Sequence, residues 1–183
     1  MHTFIPILTS YPPTEVVQLQ QLAITTFIES YAEKSDANDM EKYMKKAFSI
    51  STLRQELANP YSLFYGIYVA EKVVAYMKIN LHTQPPQLAG KSCIEVQRIY
   101  VLKAFQGHQF GAMLMQKAEE IARAHHREYI WLVVWDQNEA AVTFYRKKGF
   151  EMDGTVPFLF GNTLEEDCCM VKKMGDFTQI SAD

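Results

Sequence analysis

Apolar side chains recur along this chain with two different periods, and the change of period divides it. From about Thr14 to Ala32, the residues Val16, Leu19, Ala23, Phe27 and Tyr31 fall three or four positions apart. That spacing predicts a helix with one stripe facing a core. Pro12-Pro13 punctuates the chain just ahead of it. Met40, Tyr43, Met44 and Phe48 mark a second helical stretch over about Asn38–Phe48. A short third helix, opened by Ser51 or Thr52, has to end before Asn59-Pro60, because proline drives the residue before it out of the helical region.

The texture then becomes aromatic and β-branched. Ser62–Val69 and Val73–Asn80 read as strands joined across Ala70-Glu71-Lys72, an antiparallel hairpin. After a proline-containing loop, His82–Lys91, a third strand runs Ser92–Val101. A helix over Phe110–His126 turns Phe110, Leu114, Ala118 and Ile121 inward. Tyr129–Trp135 is almost wholly apolar, as a central strand covered on both faces should be. Helix Asn138–Lys148 follows, and Phe150–Leu159 with Asp167–Lys173 form a closing strand pair. The order of helices, hairpin, β–α–β–α and β–β predicts an α+β fold: one mixed sheet with helices on its faces, not a regular Rossmann alternation. No repeat or linker divides the 183 residues, so a single domain over 1–183 is expected.

Composition narrows the function. Hydrophobic residues make up 48% and charged residues 21%, an ordinary globular balance. The net charge of −3 argues against a partner recognised through a phosphate backbone, so no nucleic acid is expected. The longest stretches free of charged side chains, Met1–Thr14 and Leu57–Ala70, hold only 14 residues and contain proline, too short to span a bilayer. The N-terminus has no basic region and no small-residue cleavage site, so no signal peptide is read there and a cytoplasmic protein is expected. Cys93, Cys168 and Cys169 form neither a disulfide framework nor a zinc spacing, and free thiols are expected.

The chemistry concentrates between Glu95 and Phe150. The strand ending Ile99-Tyr100-Val101 leads into Gln106-Gly107-His108-Gln109-Phe110-Gly111-Ala112, where a helix begins. A strand, a glycine-bearing turn and a helix N-terminus together suit a phosphate, because unpaired N–H groups converge and the helix dipole adds positive charge. Neither the Walker spacing nor the Rossmann glycine spacing is present. Downstream, Asp136 and Glu139 have capping-box spacing, Asn138 can also accept from helix N–H groups, and Gly149 stands where a helix C-terminus needs it.

The stretch from Ile99 to Gly111 resembles motif A of the GNAT superfamily of acyl-CoA-dependent N-acyltransferases. Val133–Phe150, with Asn138, Ala141, Phe144-Tyr145, Lys147 and Gly149-Phe150, resembles its motif B. The long N-terminal helices and Arg98–Lys103 are similar to the bacterial polyamine-acetylating branch. The resemblance implies a sheet whose central strands splay, with acetyl-CoA as co-substrate, no metal, and a small-molecule amine as acceptor. It also implies that the pyrophosphate is cradled by Gln106, Gly107, His108, Gln109, Phe110, Gly111 and Ala112. The pantetheine arm would be held by Ile99, Tyr100 and Val101, with Asn138 and Tyr145 beside it, and a homodimer is a further expectation. Tyr145 would protonate the departing thiolate, with a phenol near its ordinary value of about 10. Glu95 would serve as base or attract the amine, on a strand face shared with Gln97, Ile99 and Val101 and opposite to Arg98. Gln109 stands where the family pattern has its middle glycine, and right-handed geometry is expected there, since a positive φ would cost ~1 kcal/mol. His125-His126 reads as a solvated helix end, Trp131 and Trp135 as core (Trp135 with a share in the acceptor cleft), and Glu165-Glu166-Asp167 as a charged turn that could rim a polyamine site. An acyl-CoA sensor without turnover, and an enzyme acting on a protein N-terminus or lysine, are the alternatives.

Overall fold

Seven strands in the order β1-β2-β3-β4-β5-β7-β6 build the sheet, and every neighbouring pair is antiparallel except β4 with β5. The strands are β1 (Ile7–Ser10), β2 (Ser62–Val69), β3 (Lys72–Asn80), β4 (Cys93–Val101), β5 (Tyr129–Val134), β6 (Glu151–Phe160) and β7 (Thr163–Lys173). The helices are α1 (Val16–Tyr31), α2 (Ala37–Ala47), α3 (Ile50–Ala58), α4 (Phe110–Ala124) and α5 (Glu139–Lys147). The computed structural model describes residues 5–175. The first four residues, part of the N-terminal stretch read above as carrying no leader, lie outside that range.

Each helix forms where its caps and stripe dictate. In α1, Val16, Leu19, Leu22, Ala23 and Phe27 are buried, as the spacing required. The Asp36 side chain caps α2 by accepting from the N–H groups of Asn38 (2.9 Å) and Asp39 (3.0 Å). Ser49 caps α3 by accepting from Thr52 N at 3.1 Å, so that helix opens earlier than Ser51 or Thr52. The hairpin between β2 and β3 turns on Ala70 and Glu71 alone, both at positive φ, and Lys72 already pairs with Val69. The short edge strand β1 was not anticipated, and β7 begins at Thr163, so the acidic run Glu165–Asp167 is strand rather than turn.

Two hydrophobic layers sandwich the sheet. On one face, α4 and α5 bury Phe110, Leu114, Ala118, Val142 and Tyr145 against Ile79, Ile94, Val96 and Ile130. On the other, α1, α2 and α3 bury Leu19, Phe27, Met40 and Leu53 against Phe64 and Tyr76. The tip of the β6–β7 hairpin is tied to this second layer. Asp39 of α2 accepts from Asn162 N at 2.9 Å and from Thr163 Oγ1 at 2.6 Å. Gly161 makes the approach possible: it sits at φ +60, and a Cβ there would lie 2.4 Å from Asp39 Cα.

Gly161→Ala should therefore lower stability by roughly 2 kcal/mol or more in urea unfolding with an unchanged m value. A loss below about 0.5 kcal/mol would mean that the hairpin tip is not held against α2 in solution.

Candidate active site

β4 and β5 pair over three positions only: Cys93 with Tyr129, Ile94 with Ile130, and Glu95 with Trp131. Beyond that point β4 stays on β3, out to Val101 opposite Ala75, while β5 stays on β7, with Val133 opposite Cys169 and Val134 opposite Cys168. The middle of the sheet therefore opens into a wedge, as the splayed-strand expectation required. Leu102 N bonds Val74 O at 3.0 Å, so the N–H of Leu102 faces β3. Strand alternation then turns the N–H groups of Ile99 and Val101 away from β3, into the wedge. The Val101 carbonyl faces the same way and accepts from Gln106 Nε2 at 3.3 Å.

The faces of β4 differ from those expected. Lys78 pairs with Arg98 but Ile79 pairs with Val96, so Gln97 is an extra residue, a β-bulge. The bulge reverses the alternation midway. Ile94, Val96, Ile99 and Val101 pack toward α4, whereas Glu95, Gln97, Arg98 and Tyr100 turn toward α1. Glu95 thus shares its face with Arg98 and Tyr100 rather than with Ile99 and Val101, because one unpaired residue flips every side chain after it.

That second face holds a cavity of about 240 Å³. Glu95 lies at its inner end, 7% exposed, and its Oε2 accepts from Asn80 Nδ2 (2.7 Å) and Thr83 Oγ1 (2.8 Å). Beside it, Glu56 of α3 takes Arg98 in a fork, at 2.6 and 3.1 Å, and Lys78 Nζ at 2.6 Å. Aromatic rings from four elements wall the rest. Tyr31 stands 6.1 Å from Trp135, ring centre to ring centre, and Tyr43 stands 5.6 Å from Phe158. The Tyr31 and Tyr100 hydroxyls meet at 3.5 Å. Trp135 is a cavity residue as well as a packing one, whereas Trp131 is core.

The phosphate-type loop lies on the α4 side. Gly107 adopts φ +81 with nothing within 4 Å of where a Cβ would be. The first helical bond of α4 runs from Met113 N to Gln109 O (3.0 Å), so the N–H groups of Phe110, Gly111 and Ala112 fall in the turn that precedes helical pairing. Gln109 corrects the expectation of right-handed geometry: it caps α4 at φ 63, ψ 13, the left-handed conformation for which a glycine would be chosen. The chain keeps the backbone shape of the glycine pattern with a residue that bears its strain. His108 packs its ring 5.9 Å from that of Phe110.

Asn138, not Asp136, caps α5, its Oδ1 accepting from Ala141 N at 3.2 Å, which replaces the expected Asp136–Glu139 box. Gly149 ends the helix at φ +84, as its position required. Tyr145 is 8% exposed and packs its ring on Phe144 (5.3 Å) and Phe150 (5.9 Å). Burial, and then the Tyr31 phenol, push its hydroxyl above the ordinary tyrosine value, so the expectation of an unperturbed phenol is corrected. Tyr145 does not line the α1-side cavity. It stands on the α4/α5 side of the wedge, within electrostatic reach of Tyr31 on the other. The Tyr31 hydroxyl in turn meets that of Tyr100 at 3.5 Å.

The wedge thus has a glycine-turn loop on one side and a polar cavity on the other. The family model described as the acetyltransferase (GNAT) family matches residues 17–150. The chain belongs to the GNAT acetyltransferase family. It is accordingly an acyl-CoA-dependent N-acetyltransferase. An uncharacterised N-acetyltransferase from the pepI 3′ region of Lactobacillus delbrueckii subsp. lactis is 30% identical over 149 residues, which is 81% of this chain and 86% of that protein. The N-alpha-acetyltransferase RimI of Mycobacterium tuberculosis is 29% identical over 104 residues, 57% of this chain and 61% of RimI. Among solved structures, the PaiA N-acetyltransferase of Thermoplasma acidophilum in complex with coenzyme A superposes with a TM-score of 0.78 at 20% identity, covering 93% of this chain and 99% of that one. That last likeness is one of fold.

In this GNAT enzyme one further group stands out at the outer end of the cavity. Asp167 is 6% exposed, and its Oδ1 has no hydrogen-bond partner among the described residues. Burial first, then Glu165 and Asp136, push its carboxyl up from the ordinary 3.8 to about 6. Glu165 and Asp167 are two apart on β7 and line the cavity together. The residues that sequence reasoning missed here are Tyr31, Tyr43 and Arg98. Tyr31 lay on the apolar stripe of α1 and read as packing, and Arg98 was assigned to the wrong face. The outward hint for Tyr31 was its polar tip at the end of an otherwise apolar stripe.

A carboxyl whose folded value is raised ionises less readily in the fold than in the unfolded chain, so stability is lost as pH rises from 3.8 through about 6. Asp167→Asn should accordingly stabilise the fold above about pH 6, by on the order of 1–3 kcal/mol, with the gain shrinking toward pH 4. Thermal unfolding of both proteins between pH 4.5 and 7.5 checks this, and a gain that does not change with pH would clear the carboxyl of blame.

Proposed function

We propose that the enzyme moves an acetyl group from acetyl-CoA directly to a primary amine of a small molecule, and in the finer form of this reading to a polyamine. The single observation that carries it is the wedge between β4 and β5, with the glycine-turn loop on its α4 side and the polar cavity on its α1 side. Several backbone and side-chain groups suit the co-substrate. The loop Gln106–Ala112, with Gly107 open to approach and the α4 N-terminus behind it, suits a pyrophosphate. The inward N–H groups of Ile99 and Val101 suit an extended arm lying beside β4 as an added strand, with Tyr100 between them contributing backbone only, its ring being turned to the cavity. Acetyl-CoA, when bound, supplies an activated acyl carbon and a thiolate leaving group.

The chain's own groups then have separate tasks. Ile99 or Val101 N–H donates to the carbonyl oxygen as it gains charge. Glu95 at the inner end of the cavity takes the proton that the amine sheds, directly or through water, or draws the amine in by its charge. The Tyr145 hydroxyl holds the proton that the departing sulfur needs, and its raised value keeps that proton in place at any physiological pH. Asn138 fixes the start of the helix that carries Tyr145. The small cavity, walled by Phe158 and Phe160 of a hairpin tied to α2, supports a small acceptor. Acetylation of a protein N-terminus is the second reading, favoured by the identity to RimI. The proposal extends to a homodimer, for which β6 offers an open sheet edge, and to the cytoplasm, with which three buried free thiols agree. No helix among the described residues is long and apolar enough to cross a membrane.

Thiol release from acetyl-CoA over a panel of amines and N-terminal peptides tests the acceptor. Tyr145→Phe should lower kcat at least tenfold with little change in the KM for acetyl-CoA. A loss under about threefold would remove Tyr145 from the reaction. The wild-type kcat profile should show no falling alkaline limb from this phenol below about pH 10, since its value lies above the ordinary one.

A further inference from the structure

We infer that Asp167, with Glu165 beside it, binds a second and protonated amine of the acceptor, so that the substrate is a linear aliphatic diamine or longer polyamine held at both ends of the cavity. The inference rests on the acetyltransferase reading above and assigns its specificity to one carboxyl. Asp167 is buried and lines the cavity, yet Oδ1 has no partner among the described residues. A buried acceptor without a donor is costly, and such a group marks a place where a donor belongs.

The two ends of the cavity differ in charge. At the inner end, the cations Lys78 and Arg98 stand among the carboxylates Glu56 and Glu95, and the cluster is balanced. At the outer end, the charges that act on Asp167 are Glu165 from its own strand and Asp136 from beyond β5, both acidic. The Tyr31 phenol faces it from α1. The one cation lining the cavity among the described residues, Arg98, is held in a fork by Glu56 at the inner end, at 2.6 and 3.1 Å. The balanced inner end gives an ammonium no net attraction, which suits the neutral amine that acyl transfer requires. The acidic outer end favours an ammonium. A diamine satisfies both, one nitrogen neutral and reacting, the other charged and held.

Geometry agrees with the span. Glu95 is level with Trp131 on β5, and Asp167 lies one residue beyond the Val134–Cys168 pair, level with Trp135. Four residues of strand separate the two levels, about 13 Å at the ordinary rise, before the side chains reach inward. Between them the wall is aromatic, with Tyr31, Trp135 and Phe158 offering faces to methylene groups and to a passing cation.

The test compares 1,4-diaminobutane and spermidine with 1-aminobutane. In Asp167→Asn the ratio of kcat/KM for either polyamine over the monoamine should fall at least tenfold, and Asp167→Glu should recover part of it. On wild-type protein with coenzyme A added, titration followed by tryptophan fluorescence or calorimetry should show the diamine binding at least tenfold more weakly at pH 5 than at pH 7.5, with the monoamine changed far less. That measurement needs no variant to fold. An equal fall for all three amines, with the ratio unchanged, would make Asp167 a base or a packing residue and overturn the assignment. So would a wild type that binds the diamine no better than the monoamine, while acetyl transfer itself would stand. Diamine binding that depends on Asp167, without transfer to any amine, would instead overturn the acetyltransfer reading and keep the site.

Discussion

An inner strand of a sheet with hydrogen bonds on only one edge is the constraint on which this molecule turns. From Val96 to Val101, β4 is paired to β3 and, among the described residues, to no strand on its other side, because β5 leaves it after Trp131 and follows β7. Unpaired backbone groups in the middle of a sheet are costly, and a fold keeps them only where something else meets them. Here the sheet is two antiparallel halves joined by three parallel pairs, with helices bridging both faces. This leaves an opening in the middle of the sheet, with the α4 layer on one face and the α1 layer on the other.

Which side chains face the opening follows from one inserted residue. Gln97 bulges from β4 and thereby turns Arg98 and Tyr100 to the face of Glu95, while Ile99 and Val101 join the apolar face. Without the bulge, a guanidinium would be driven into the layer of Leu114 and Phe110. With it, Arg98 reaches the Glu56 carboxylate of α3, which also holds Lys78. A charge cluster of this kind contributes little net stability but fixes geometry, since removing one member strands the others. The aromatic rings of α1, α2 and the β6–β7 hairpin then pack around it, and the Asp39 tie to Asn162 and Thr163 sets how far the hairpin leans over the cavity.

Two unfavourable elements belong to the two sides of this opening. Gln109 holds a left-handed backbone at the start of α4, and Asp167 holds a carboxyl in surroundings that oppose its charge. Both are unfavourable for the fold taken alone. Strain of this sort persists where the surrounding structure over-determines it and where a ligand relieves it. An anion over the α4 N-terminus and a cation at Asp167 are the two ligands of opposite sign that these places suit.

The sequence by itself determined the elements apart from the edge strand β1 and the start of β7, their order, and the family. Period alone located α1, α4, the β2–β3 hairpin and the buried β5, because burying an apolar stripe or face is a local demand that every residue in the element has to meet. The spacings Gln106–Gly111 and Asn138–Gly149 were equally legible, since turns and caps are written in adjacent residues. Tertiary structure decided which way residues face and which of them meet. A bulge leaves no mark in composition, yet it moved Arg98 and Tyr100 to the cavity and freed Ile99 and Val101 from it. The left-handed Gln109 was decided by how the loop must join α4, not by the preference of a glutamine. Asp167 looked like one of three acids in a turn. Only the pairing of β7 with β5 and β6, contacts far apart in the chain, buried it without a partner and gave the cavity its acidic end.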